Sequence, residues 1–235
     1  MKRDNWIAFI PFYLLTMILF IGIARGGSRA VTALAQTRAV SRENCIIIDP
    51  GHGGEDGGAT SCTGVLESQI NLEISLRLND LMNLLGYDTI MIRTTDTAIY
   101  TKGETLAAKK ASDLQERVRI VNETENGLLI SIHQNTFSDS RYGGAQVFYA
   151  GTAGSAQLAA QLQALLSETV NPGSVRQSKS ADSIYLMQNI QRTGILVECG
   201  FLSNPEEEAR LRDAEYQKKL CCVIAAAASQ FLSNA

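Results

Sequence analysis

The sequence predicts a single α/β domain, a twisted sheet of five to six mostly parallel strands flanked by helices, preceded by an N-terminal transmembrane helix. Three observations carry this expectation. From Asn44 onward, short β-branched runs alternate with longer amphipathic segments, the pattern of a largely parallel sheet covered by helices. A glycine loop, Gly53 to Gly64, follows the first run, at the strand end where open α/β sheets form their crevices. Ahead of the domain, Trp6 to Ile23 is a nearly unbroken apolar run of about eighteen residues, the lower end of what spans a bilayer.

The elements follow in order. Cys45 to Asp49 is the first strand, and Leu66 to Leu85 is a helix, with Ile70, Ile74, Leu78, Leu81 and Leu85 at helical spacing and Gly86 placed as its cap. Tyr87 to Arg93 is the second strand. Thr94 to Ala111 has little periodicity and reads as an exposed loop near the site, followed by a helix from Leu114 to Glu123 with Ser112 and Asp113 as caps. Leu128 to Ile132 and Ala145 to Ala150 are strands, and Ser155 to Thr169 is a helix stopped by Asn171-Pro172-Gly173. A weaker strand at Ile184 to Met187 and a stronger one at Gly194 to Cys199 complete the sheet. Pro205 to Leu232 closes the domain as one helix, its three leading glutamates suited to the positive end of the helix dipole.

Composition narrows the function. At 235 residues, 45% hydrophobic and 19% charged, the chain can bury an ordinary core. A net charge of −3 with no arginine-rich stripe argues against a nucleic-acid partner. Lys2 and Arg3 precede the apolar run, which places the N-terminus in the cytoplasm and the domain outside it. The run reads as an uncleaved anchor (1–25) with a small, polar, basic linker (26–43) before the domain (44–235). A signal peptide cut at Ala33-Leu34-Ala35 is the alternative; Arg25 and Arg29 stand between the run and that site and favour the anchor. Five cysteines, an odd count without regular spacing, do not describe a disulfide framework, and Cys199 reads as a packing residue.

The chain has two histidines, His52 and His133, and each stands just past an apolar strand. A catalytic zinc site takes three protein ligands and keeps one position open, so the pair is one ligand short. Glu67, in the first turn of the helix that ends the glycine loop, is the best third ligand. Glu55 and Asp56 compete from the middle of that loop, where rigid geometry is harder to keep. Glu198 ends the apolar strand Gly194 to Cys199; a carboxylate there needs a partner or a task, either an ion pair or the proton transfer of a hydrolase. The glycines do not form a phosphate loop, since Pro50 removes a donor and no lysine follows.

Several separated motifs, in order, resemble one family. Asp49-Pro50-Gly51-His52-Gly53-Gly54, Glu67 with Asn71, Leu114 through Asn122, Ser131-Ile132-His133-Gln134-Asn135, and Val197-Glu198-Cys199-Gly200-Phe201 through Glu206 are similar to motifs of the zinc-dependent N-acetylmuramoyl-L-alanine amidases of the amidase_3 type. The resemblance covers Asn44 to the C-terminus. It implies cleavage of the amide between N-acetylmuramic acid and the L-alanine of the stem peptide, one Zn2+ held by His52, Glu67 and His133, Glu198 as the catalytic glutamate, and Asn135 as a substrate-holding residue. The short chain and its N-terminal apolar segment most resemble the CwlD-type amidases of spore formers. These act on the spore cortex ahead of muramic-δ-lactam formation, in the space between the forespore membranes, and can depend on an activating protein partner. Gly57-Gly58 departs from the proline-glycine pair of many relatives, and Cys199 from their aliphatic residue. The competing readings are a membrane-tethered peptidoglycan-binding module with a vestigial zinc site, and a zinc peptidase or sugar deacetylase, since ligand types alone do not choose the bond.

Overall fold

Ile46, Ile47 and Ile48 have no exposed surface, because β1 (Cys45–Pro50) is covered on both faces of its sheet. The structure, a computed structural model, describes residues 44–234. The expected transmembrane helix and linker lie outside the described residues; among the described residues no helix is long and apolar enough to cross a membrane. The other strands are β2 (Asp88–Met91), β3 (Gly127–Asn135), β4 (Gln146–Tyr149), β5 (Lys179–Ser180) and β6 (Thr193–Phe201). They form one six-stranded sheet in the order β2-β1-β3-β6-β4-β5.

The strands β2, β1, β3 and β6 are mutually parallel, whereas β4 runs antiparallel to β6 and carries β5 parallel to itself. Segment 136–145, between β3 and β4, holds no helix. A parallel return needs a crossover of about a dozen residues or more, usually helical, so β4 comes back in the opposite sense.

The helices are α1 (Glu67–Leu84), α2 (Leu106–Glu123), α3 (Ser155–Thr169), α4 (Tyr185–Asn189), α5 (Pro205–Leu211) and α6 (Ala214–Ser233). Side chains alternate across the sheet: Ile46, Ile48, Leu128, Ile130, Val197 and Cys199 join the larger core with α1, α3 and α6, while Ile47, Leu129 and Leu196 face α2 and α4. Each such Ile or Leu contributes about 1.5–3 kcal/mol by leaving water. Helix α1 buries Ile70, Ile74, Leu78 and Met82. Against it lies α6, whose Ala225, Ala227 and Ala228 permit close approach.

Three expectations need correction. Ile184 to Met187 is not a strand; Tyr185 starts the one-turn helix α4, which lays Leu186 and Met187 on the sheet, and the sixth strand is Lys179–Ser180. Four apolar residues suit a buried helical turn as well as a strand. Helix α2 starts at Leu106, not Leu114: Thr105 caps it by accepting from Ala108 N at 3.2 Å, and its first turns are mostly exposed, so they carry no apolar period. Ser112 and Asp113 are therefore not caps. They lie inside α2 and accept backbone N–H groups of Thr101, Lys102 and Ile99, pinning the preceding loop to the helix. Finally, the closing helix is two: Asp213 interrupts it and caps α6 by accepting from Tyr216 N at 2.9 Å.

Candidate metal centre

Parallel strands aim their C-terminal ends the same way, so the ends of β1, β3 and β6 bring His52, His133 and Glu198 to one edge of the sheet. His133 and Glu198 are direct neighbours in the register of β3 and β6 and share a face. The first residue of α1 is Glu67, returned to the same edge by the glycine loop. Among the described residues, His52, Glu67 and His133 form the one group able to hold a metal ion, with ligand atoms all within 4.8 Å of one another.

Glu67 is the hub. One oxygen faces His133 Nδ1 at 3.0 Å and accepts from Gln134 N at 3.1 Å and Asn71 Nδ2 at 3.2 Å. The other lies 3.2 Å from His52 Nε2 and accepts from Ala59 N at 2.9 Å. Burial pushes this carboxyl up, but the two imidazoles outweigh it and hold Glu67 well below the usual carboxylate range. For His52, burial lowers the imidazole and the carboxylates of Glu67 and Asp56 more than reverse that, raising it to about 9. A site that draws a proton onto an imidazole at neutral pH has the potential to attract a cation.

Backbone freedom is spent where the imidazoles need room. A Cβ on Gly51 would lie 2.2 Å from the His133 ring, and one on Gly58 would lie 2.6 Å from Glu67 Oε2. His52 has φ 61°, a left-handed conformation that a non-glycine residue adopts only when its surroundings impose it.

Two buried arginines impose it here. Arg93 donates to the carbonyls of Pro50 at 2.9 Å, Gly51 at 2.9 Å and Ser68 at 2.8 Å. Arg117 donates to the carbonyls of Pro50 at 3.0 Å and His52 at 2.8 Å, to Asp113 at 2.6 Å and to the buried carboxylate of Asp49, which also accepts from Ser131 Oγ at 2.7 Å. The sequence reading missed this clamp. Its signal was present all the same: Asp49 and Arg93 end apolar strands, the reasoning that singled out Glu198.

Glu198 has one carboxylate oxygen, Oε2, buried without a hydrogen-bond partner. Burial, offset in part by His133 and reinforced by Glu67, pushes its pKa up to about 7. It is thus poised to exchange a proton near neutral pH. The competing carboxylates are engaged elsewhere: Glu55 pairs with Lys109 at 2.6 Å, and Asp56 binds His52 Nδ1 at 2.9 Å and Lys110 at 2.7 Å. Asn135 sits at the end of β3 with its side-chain oxygen accepting from Thr136 N, not from any of the three clustered residues. Cys199 is buried in the core, facing away from Glu198. All five cysteines are free thiols.

Two imidazoles and one carboxylate are the donor set of a catalytic zinc site with an open position, and the unpartnered Glu198 oxygen stands at the same sheet edge. The residues fit the metal. Beside His52 and His133 lies a cavity of about 280 Å3, lined also by Leu114, Ile184, Leu186 and Leu196, with Asp49 and Arg117 among its walls.

Comparison with known proteins accords with this geometry. The chain is similar to a germination-specific N-acetylmuramoyl-L-alanine amidase of Bacillus subtilis, 34% identical over 226 residues that cover 95% of this chain and 92% of that one. Among solved structures it resembles the CwlD amidase of Clostridioides difficile in complex with the GerS lipoprotein, with a TM-score of 0.78 and 35% identity over 82% of this chain and all of that one. An N-acetylmuramoyl-L-alanine amidase of Clostridium difficile 630 follows, with a TM-score of 0.71 and 28% identity over 82% of this chain and 98% of that one. The Amidase_3 family model, N-acetylmuramoyl-L-alanine amidase, matches residues 46–230, and the chain belongs to this family of peptidoglycan amidases.

Proposed function

We propose that this chain is a zinc-dependent N-acetylmuramoyl-L-alanine amidase that trims the spore cortex. The single observation that carries the reading is the convergence of His52, Glu67 and His133 beside a Glu198 carboxylate with an unpartnered buried oxygen. His52, Glu67 and His133 would hold one Zn2+. When bound, zinc supplies a Lewis acid that polarises the scissile carbonyl and acidifies a water. Glu198 takes the proton of the attacking water and returns it to the L-alanine nitrogen as the amide breaks. Arg93 and Arg117 keep the carbonyls of residues 50–52 fixed, so that the His52 ring does not wander during this exchange. Asn135, at the end of β3, is assigned to holding substrate.

The peptidoglycan glycan strand with its stem peptide is the substrate. The germination-specific relative and the CwlD structure support a role in cortex maturation leading to muramic-δ-lactam, and the GerS complex of that CwlD supports a protein partner here, to which we assign activation. We assign residues 44–235 to the catalytic domain, 1–25 to a membrane anchor or signal segment that sends it out of the cytoplasm, and 26–43 to a linker.

The test is digestion of purified peptidoglycan with and without added zinc, read by mass spectrometry. An amidase frees whole stem peptides and leaves the acetyl groups in place. Glu198→Gln should abolish release while zinc stays near one per chain; retained hydrolysis in that variant, or release of deacetylated sugars or peptide fragments, overturns the assignment. Spores lacking the protein should lack muramic-δ-lactam, and normal lactam content sinks the cortex role.

A further inference from the structure

We propose that Asp56 is a positioning residue, a carboxylate outside the metal's own ligands that orients His52 through its Nδ1 and is itself held by Lys110. The inference rests on the metal-centre reading above and goes beyond it.

The two ring nitrogens of His52 face different carboxylates. Nε2 lies 3.2 Å from Glu67 Oε2, on the side where the three candidate ligands converge, and Nδ1 lies 2.9 Å from Asp56 Oδ2 on the other side. With Nδ1–H donating to Asp56, the lone pair of Nε2 is directed to the metal position. A carboxylate in that relation fixes the tautomer and the ring plane of a ligating histidine and makes it more basic. Nothing in the covalent chain does this for His52, which sits between two glycines in a left-handed conformation.

Asp56 is held firmly enough for the task, contrary to the expectation that the middle of a glycine loop is too loose. Its backbone exchanges two hydrogen bonds with Gly53, at 2.8 and 3.2 Å. Its second oxygen, Oδ1, accepts from Lys110 Nζ at 2.7 Å and Gly58 N at 3.3 Å. Both oxygens are therefore committed, which keeps Asp56 off the metal while tying His52 to α2. The loop is fastened to that helix a second time by Glu55 and Lys109 at 2.6 Å.

The experiment uses the purified full chain, stripped of metal and titrated with Zn2+ against a chromophoric chelator, with parallel Co2+ titrations read by visible absorption. Wild type should bind one zinc per chain. Asp56→Asn should weaken zinc by about 10- to 100-fold and shift the Co2+ bands, and Asp56→Ala at least as much. Lys110→Gln, which leaves Asp56 in place, should weaken it by about two- to fivefold, the scale of a partly exposed ion pair. Should the Asp56 variants fail to fold, an unchanged zinc affinity in Lys110→Gln overturns the proposed relay. A wild-type chain that takes up no zinc overturns the metal-centre reading itself. Tight zinc binding by wild type, with Asp56→Asn within twofold of it and the same Co2+ spectrum, overturns the role of Asp56 alone.

Discussion

Replacing Arg117 by Met keeps much of the side-chain volume and removes the charge. The guanidinium is 3% exposed and the Asp49 carboxylate it pairs with is 1% exposed, so solvent screens neither. After the change Asp49 keeps only the Ser131 hydroxyl, Pro50 O keeps Arg93, and His52 O loses the donor it had. A buried charge stripped of its partner costs about 3–5 kcal/mol, a large share of the roughly 5–15 kcal/mol that stabilises a typical domain. Urea unfolding at pH 7, followed by circular dichroism, should show that loss. The double variant Asp49→Leu/Arg117→Met should recover most of it, with a coupling of at least about 2 kcal/mol, because the fully buried unpaired carboxylate is gone and Asp113, which also loses Arg117, is 13% exposed and keeps Ile99 N.

The pH dependence gives an independent check. In the wild type, burial pushes Asp49 up, but Arg117 and Ser131 outweigh it and hold the carboxyl below its usual range. Its contribution is then fully present above the unfolded value of about 3.9 and is lost as pH falls through the lower folded value. Without Arg117, burial acts unopposed by that charge and raises the folded pKa, so the sign reverses. The gap between wild type and Arg117→Met should therefore be small near pH 3 and widen toward neutrality. A loss below about 1 kcal/mol at pH 7, or a gap that does not shrink on acidification, would refute the argument that Asp49 and Arg117 are a buried, mutually dependent pair.

Other expectations are simpler to check. Gly51→Ala places a methyl 2.2 Å from the His133 ring, so zinc uptake and amidase turnover should fall at least tenfold, measured by chelator competition and muropeptide release; unchanged zinc affinity would contradict the close approach. Because burial holds Glu198 up at about 7 and a bound cation draws a carboxyl down, kcat/KM should rise with pH to a midpoint at or below 7; a profile flat between pH 4 and 8 would speak against a base there. A thiol reagent should modify exposed Cys62 and Cys222 quickly and buried Cys199 and Cys221 only on unfolding, since burial pushes both buried thiols up, Cys221 to about 12; rapid labelling of all five would contradict the packing of α6 on α1.

The amino-acid sequence by itself determined the layered α/β class, the long helix α1 and the three main parallel strands, and it singled out His52, Glu67, His133 and Glu198 as the candidate site. The elements rest on local rules: fully buried parallel strands read as unbroken apolar runs, and an amphipathic helix repeats every 3.6 residues; Glu198 was marked as a costly polar group at the end of an apolar strand, and Glu67 by its place at the helix start beside an incomplete pair of histidines. Where the local pattern was weak or shared between alternatives, tertiary structure decided. The exposed start of α2 has no apolar face to announce it, four apolar residues at Ile184 to Met187 suit helix or strand equally, and the break at Asp213 depends on a cap within an otherwise continuous helical pattern. The direction of β4 was likewise not a local property, since it follows from a connection too short for a crossover. Only the folded chain decided what each carboxylate does. Glu55, Asp56 and Glu67 share one short stretch of sequence; they become a surface ion pair, a brace for His52 and the hub of the three clustered side chains because strands and helices distant in sequence bring Lys109, Lys110 and His133 to meet them.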